Sequence, residues 1–308
     1  RTGFNENFYD DAKQVFARFE GVEIGDYIAY EYEQEYKPFF KQRTPVFQDY
    51  IEIAHKQVTV PPGATCLLLN DMNSTVQNQG NKWFVSNVPA AADESLDPPL
   101  LERVPMLAVT FDQNDQSWES MSRDMWARYD KVEGLSPETL AELQSLLAIS
   151  DKKEFILKTM EMVCDKIRYV AIEIGEGGYI PSSPESVHNW GYGDCKDMSF
   201  YATAILRAGG VDAYTALAKG RGFGPVFENF PGNQFNHAIV AVKLDESCAD
   251  LQNVTVDGAP WMIADPTDEY STSPLLGNHL EDTKILPLTR DGHGLVTIPS
   301  SPPEQNQI

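Results

Sequence analysis

Basic residues are scarce in this chain. Lys and Arg number 24 against 46 Asp and Glu over 308 residues, for a formal net charge of −22. Such a surface repels phosphate backbones and anionic lipid, which excludes nucleic acid and acidic membrane headgroups as partners. The acidic excess runs through both halves of the chain instead of forming a tail, as on a solvated surface. Cysteine is also scarce. Cys66, Cys164, Cys195 and Cys248 are too few for a disulfide framework and lack the CxxC spacing of a structural zinc site. EF-hand spacing is missing as well, so neither a metal nor a cofactor is expected. With no run of about 18 apolar residues, no membrane insertion is expected. The chain opens on Arg1 instead of Met and shows no signal peptide, and residues 299–308 are a Ser/Pro/Gln-rich linker or tail. It reads as a piece of a longer precursor, truncated before its first strand and followed by a further C-terminal domain.

Apolar material is sufficient for a packed core: 42% of residues are hydrophobic, which excludes disorder. The length suits two domains. Residues 27–33 alternate, with Ile28, Tyr30 and Tyr32 on one face, and predict a strand. Further strands are predicted at 46–53, 55–60, 82–88 and 107–111. Short strands without helical patterns between them predict an antiparallel β-sandwich over residues 1–116. The pattern then changes. Trp118, Met121, Met125 and Tyr129 fall at helical spacing behind a Ser cap, and Ser136-Pro137 opens another helix. A third helix is predicted from Asp151 to about Arg168. Residues 175–184 read as a loop and 195–208 as a helix ended by Gly209-Gly210. Strands are predicted at 213–218, 235–243 and 261–265. The expected class is α+β, with a second domain over 117–298.

Three residues in that second region fit one chemistry. Cys195 follows Gly191-Tyr-Gly-Asp and opens a helix, where unpaired N–H groups and the helix dipole favour a thiolate. The plain alternative is a buried thiol acting as a small apolar residue, and it is the reading adopted for Cys66, Cys164 and Cys248. His237 lies in a strand-like run, Phe235-Asn-His-Ala-Ile-Val, which fixes its ring direction. Taken alone, it would be read as a satisfied core histidine. Asp265 ends the apolar run Trp261-Met-Ile-Ala and precedes a proline; an acid there can orient an imidazole or simply start a turn. The order Cys, His, Asp on helix start, strand and next strand makes the joint reading stronger than any single one.

These motifs resemble the transglutaminase-like superfamily of papain-like cysteine enzymes. GDCKD at 193–197, FNHAIV at 235–240 and ADPT at 264–267 carry the likeness, within a stretch from Ile167 to Thr267. Gly25-Asp26, Asn87-Val-Pro-Ala and the Trp118 helix resemble a bacterial architecture in which a β-sandwich of unknown function precedes that core. The resemblance implies a papain-like α+β core with Cys195 as nucleophile, His237 as general base and acid, and Asp265 orienting His237. It implies acyl transfer through a thioester on a protein or peptide substrate, chiefly hydrolysis of an amide or peptide bond. Protein cross-linking and a non-catalytic scaffold with a vestigial triad are the alternatives. The Cys195 N–H is the expected first oxyanion donor, with Trp190 and Tyr179 as candidates for the second. Members of this architecture are exported, so a periplasmic or extracellular location is expected.

Overall fold

The computed structural model describes residues 8–10, 16–35, 39–94, 96–111, 117–173, 175–268, 276–277 and 279–300. The fold is α+β, with sandwich-like antiparallel sheets toward the N-terminus and a helix-covered sheet toward the C-terminus. Two three-stranded sheets make up the first part. One pairs Ile53–Thr59 with Lys82–Val88 and that strand with Gln77–Gln79. The other sets Met106–Thr110 between Gln42–Arg43 and Thr65–Leu69. Phe47, Val60, Val85, Leu107 and Val109 fill the space between them.

Every residue of Met106–Thr110 is buried. Side chains alternate across a strand, so Leu107 and Val109 face the sandwich core. Met106 and Ala108 face the other way, against Leu69 and Phe230. An uninterrupted apolar run is what a strand covered on both faces requires.

Residues 27–33 do not form the expected strand. Tyr27, Ile28, Tyr30 and Tyr32 are all exposed, and no strand lies beside them among the described residues. A period of two marks a strand only when a neighbour completes the ladder; here the Tyr30 and Tyr32 rings stack on each other at 6.3 Å. Residues 46–53 contribute an isolated bridge, Val46 to Met106, and the regular strand starts at Ile53.

The C-terminal sheet has six antiparallel strands, in the order Val254–Val256, Ala259–Ala264, His237–Lys243, Ala213–Ala218, Lys284–Pro287 and Val296–Thr297. Its central strands are buried on both faces. Val240, Val242 and Met262 pack against the helices Cys195–Ala208 and Lys152–Lys166. Ile239, Ala241 and Ile263 pack on the far side with Leu280 and Ile298. At the end of the cysteine helix Gly209 lies against Phe155, where a Cβ would fall 2.3 Å from the ring; only glycine permits that approach. A short parallel pair joins Phe8–Asp10 to Ala171–Glu173. Among the described residues no helix is long and apolar enough to cross a membrane.

Candidate active site

The cysteine helix begins where local sequence forces a sharp turn. Ser183 caps the helix Pro184–Trp190, with Pro at its first position. Gly191, at φ 65°, ends it in the left-handed region open to glycine. Tyr192–Gly193 then pairs in parallel with Arg168–Tyr169. Asp194 caps the next helix by accepting from the Lys196 and Asp197 N–H groups, while Asp197 accepts back from the Asp194 N–H. Both carboxylates are buried, and Lys196 pairs with Asp194. Burial, then the charge of Asp194, pushes the Asp197 carboxyl pKa up; Lys196 and two backbone N–H groups oppose the rise. Cys195 therefore emerges half-buried at a helix start that is held from both sides.

His237 opens its strand and Asp265 follows the last residue of the neighbouring one. The Ser199 hydroxyl, one turn beyond Cys195, donates to the Ala238 carbonyl at 2.9 Å and ties the cysteine helix to the histidine strand. His237 Nε2 lies 2.6 Å from Asp265 Oδ2, and the ring lines the same cleft as Cys195. A carboxylate only accepts, so Nε2 carries the proton and Nδ1 is left for the sulfur. Burial pulls the His237 pKa down, but the hydrogen bond to Asp265 and the neighbouring Cys195 outweigh it and raise it to about 10. Asp265 is almost wholly enclosed, its side chain 1% exposed. Burial alone would raise its pKa, yet His237, His279 and the Thr267 N–H hold it below the usual carboxylate range. The structure thus brings Cys195, His237 and Asp265 together as one chain of neighbouring groups, with the hydrogen bond between His237 and Asp265.

That chain opens into a cleft of about 440 Å³ lined by Tyr129, Tyr169, Glu173, Tyr179, Phe235 and Asn236 around Cys195 and His237. The volume lies within the range of sites that take a small ligand or a few residues of a peptide. The two expected oxyanion candidates fare differently. Trp190 does not line the cleft: its indole is half exposed and stacks on Tyr192 at 5.6 Å, turned away by the helix that carries it. Tyr179 does line it, but its ring is stacked on Phe39 at 4.7 Å.

Tyr169 is the residue that sequence reasoning passed over. The parallel pairing with Tyr192–Gly193 sets it beside the cysteine, where it lines the cleft next to Cys195. Burial, then Cys195 and Asp194, pushes its phenol pKa up, so the hydroxyl stays a donor. The signal was the Arg-Tyr-Val after the Lys152–Lys166 helix, which has no meaning until that pairing is known. His279, which reaches Asp265 Oδ2 at 3.2 Å, lies beyond Asp265 in a stretch with no pattern to mark it.

Comparison with known proteins bears on the fold. Residues 2–90 match a family described as a domain of unknown function with a solved structure, DUF3857. No curated protein matches the chain. A candidate protease from Parabacteroides distasonis superposes with a TM-score of 0.58 at 16% identity, over 86% of this chain and 49% of that one. The two share a fold, and the chain spans about half the length of that protein. A candidate cysteine protease from Cytophaga hutchinsonii is 13% identical over 84% of this chain and 76% of its own, with a TM-score of 0.30. The periplasmic domain of TgpA from Pseudomonas aeruginosa is 15% identical over 70% and 67%, with a TM-score of 0.29.

Proposed function

We propose that the chain is a cysteine-dependent acyl-transfer enzyme of the transglutaminase-like type that hydrolyses amide or peptide bonds. The observation that carries this reading is His237 hydrogen-bonded to a buried, ionised Asp265 and sharing an open cleft with Cys195. In the proposed reaction the Cys195 sulfur attacks a carbonyl carbon while its proton rests on His237. The Cys195 N–H and the Tyr169 hydroxyl donate to the developing oxyanion. His237 then protonates the leaving amine, and water, deprotonated by His237, attacks the thioester, breaking its C–S bond to release the acid and restore Cys195. Asp265 keeps the ring in the right tautomer and stabilises the imidazolium. On the same resemblance we place the protein in the periplasm or outside the cell, and divide the chain into a β-rich region, 1–116, and a catalytic region, 117–298.

A fluorogenic peptide-amide screen comparing wild type with Cys195→Ala tests the reading. Turnover should appear in wild type alone, and added hydroxylamine should divert product to the hydroxamate, as a thioester requires. Wild-type turnover by a folded Cys195→Ala protein would remove the nucleophile and the reading with it.

A further inference from the structure

Asp265 Oδ2 serves two histidines. His237 Nε2 lies at 2.6 Å and His279 Nε2 at 3.2 Å from the same oxygen. The rings stand 6.1 Å apart, inclined at 66°, and the three polar atoms all lie within 4.8 Å of one another. We propose that His237, Asp265 and His279 form a binding site for a divalent transition cation of the zinc class, and that the bound ion takes His237 out of use.

The donor set is two imidazoles and one carboxylate, a combination that suits zinc and leaves a position for water. Ligands about 2.1 Å from a tetrahedral ion stand about 3.4 Å apart. The His279 contact is already close to that spacing, and the His237 contact opens by less than about 1 Å. The supporting shell is in place as well. Asp265 Oδ1 accepts from the Thr267 N–H at 2.9 Å and from its hydroxyl at 2.7 Å, which aims Oδ2 at the two rings. The His279 carbonyl accepts from the Arg221 N–H at 2.8 Å and anchors its loop. Asp265 is enclosed while the His279 side chain is 40% exposed, so an ion has an approach from solvent.

Occupancy has a chemical consequence, which rests on the reading of Cys195 and His237 given above. An ion at Nε2 displaces the proton that His237 shares with Asp265, and that proton goes to solvent. With its Nε2 lone pair on the ion, the ring can no longer become the imidazolium that carries a proton from Cys195 to the leaving amine, so the bound form is inactive and a chelator restores it.

Binding of zinc chloride, followed by competition with a chromophoric chelator, tests the site without reference to activity. Wild type and Cys195→Ala should each bind about one ion with similar affinity, and both His279→Ala and His279→Gln should bind at least about tenfold more weakly. Zinc should raise the melting temperature of wild type and of Cys195→Ala, and raise that of the two His279 variants by less at the same concentration. Absence of saturable binding, equal affinity in the His279 variants, or loss of binding in Cys195→Ala would each overturn the proposal; the last would put the ion on the thiol. If the ion binds as described but no peptide amide is ever turned over, the site stands and the proposed activity falls.

Discussion

Replacing Gly193 with alanine asks whether contact fixes the start of the cysteine helix. A Cβ there would stand 2.7 Å from Asp197 Cβ and 3.2 Å from its Oδ2, whereas carbon atoms settle at about 3.5–4.0 Å. Asp197 cannot swing aside freely, because Oδ1 accepts from the Ser182 N–H and Oδ2 from the Asp194 N–H. Gly193 cannot retreat freely either, since its carbonyl accepts from the Val170 N–H at 2.9 Å. Relief requires either overpacking strain, about 1–3 kcal/mol, or loss of a hydrogen bond to a buried carboxylate, about 1.5–3 kcal/mol. The expected destabilisation of Gly193→Ala is about 2 kcal/mol, a fall of roughly 4–8 °C in Tm. Cys195 lies between the two colliding residues, so its sulfur should move and turnover should fall by about 10²-fold. Thermal unfolding and iodoacetamide labelling of Cys195, the latter below the new Tm, read the two effects separately. Asp197→Ala is the control, because it removes the carboxylate bonds but keeps the Cβ that meets Gly193. A Gly193→Ala protein with a Tm within about 1 °C of wild type and unchanged labelling would show that the helix start is not set by this contact.

The remaining expectations concern the reacting groups. Cys195→Ala should abolish turnover, His237→Ala should reduce it by about 10²–10⁴-fold, and Asp265→Ala should cost less, whereas Cys164→Ala should leave turnover intact; steady-state kinetics on natively folded variants gives the order, and an Asp265→Ala protein as inactive as Cys195→Ala would contradict it. Tyr169→Phe removes one oxyanion donor and should lower kcat by about 10²-fold with little change in KM; an unchanged kcat would return the phenol to a packing role. The pH dependence of stability has a definite sign. His237 is raised to about 10, so its contribution is full below its unfolded pKa of about 6.5 and is lost as pH rises through about 10. Asp265 is depressed, so its contribution is present above its unfolded pKa of about 3.9 and is lost on acidification. The Tm difference between wild type and His237→Ala, measured in chelator, should therefore peak near pH 5–6 and vanish by about pH 10; a difference that grew with alkalinity would reverse the assignment.

Legibility from sequence followed how local each signal was. The cysteine helix could be read because its cap, its apolar stripe and its terminal glycines are contiguous. Met106–Thr110 could be read as a strand for the same reason. Residues 27–33 carry a pattern as regular, but a strand also needs a neighbour, which their own sequence does not disclose. Thr65–Leu69, Lys284–Pro287 and the helix Pro184–Trp190 went unread because each is short and flanked by turn residues that mask it. At the site, Cys195, His237 and Asp265 sit at element ends with motif neighbours. Tyr169 and His279 act at places fixed only by pairing and by a loop's return, so their types alone said nothing.

The double-sided strand Met106–Thr110 has a bearing on how the cleft is kept in shape. Its outer face covers Phe230, in a segment that is also held by the Gln42 amide on the Pro231 carbonyl and by the Trp118 indole on the Glu228 carbonyl. That segment leads directly into Phe235 and Asn236 of the cleft wall and then His237. The N-terminal sheets thus fix in advance a stretch of chain that would otherwise have to be ordered each time a substrate arrives. Ordering on demand costs about 0.5–1.5 kcal/mol for each side chain immobilised. On the proposed function, a chain stripped of those sheets would keep Cys195, His237 and Asp265 and meet a substrate with weaker affinity, the deficit appearing as entropy rather than as any missing contact.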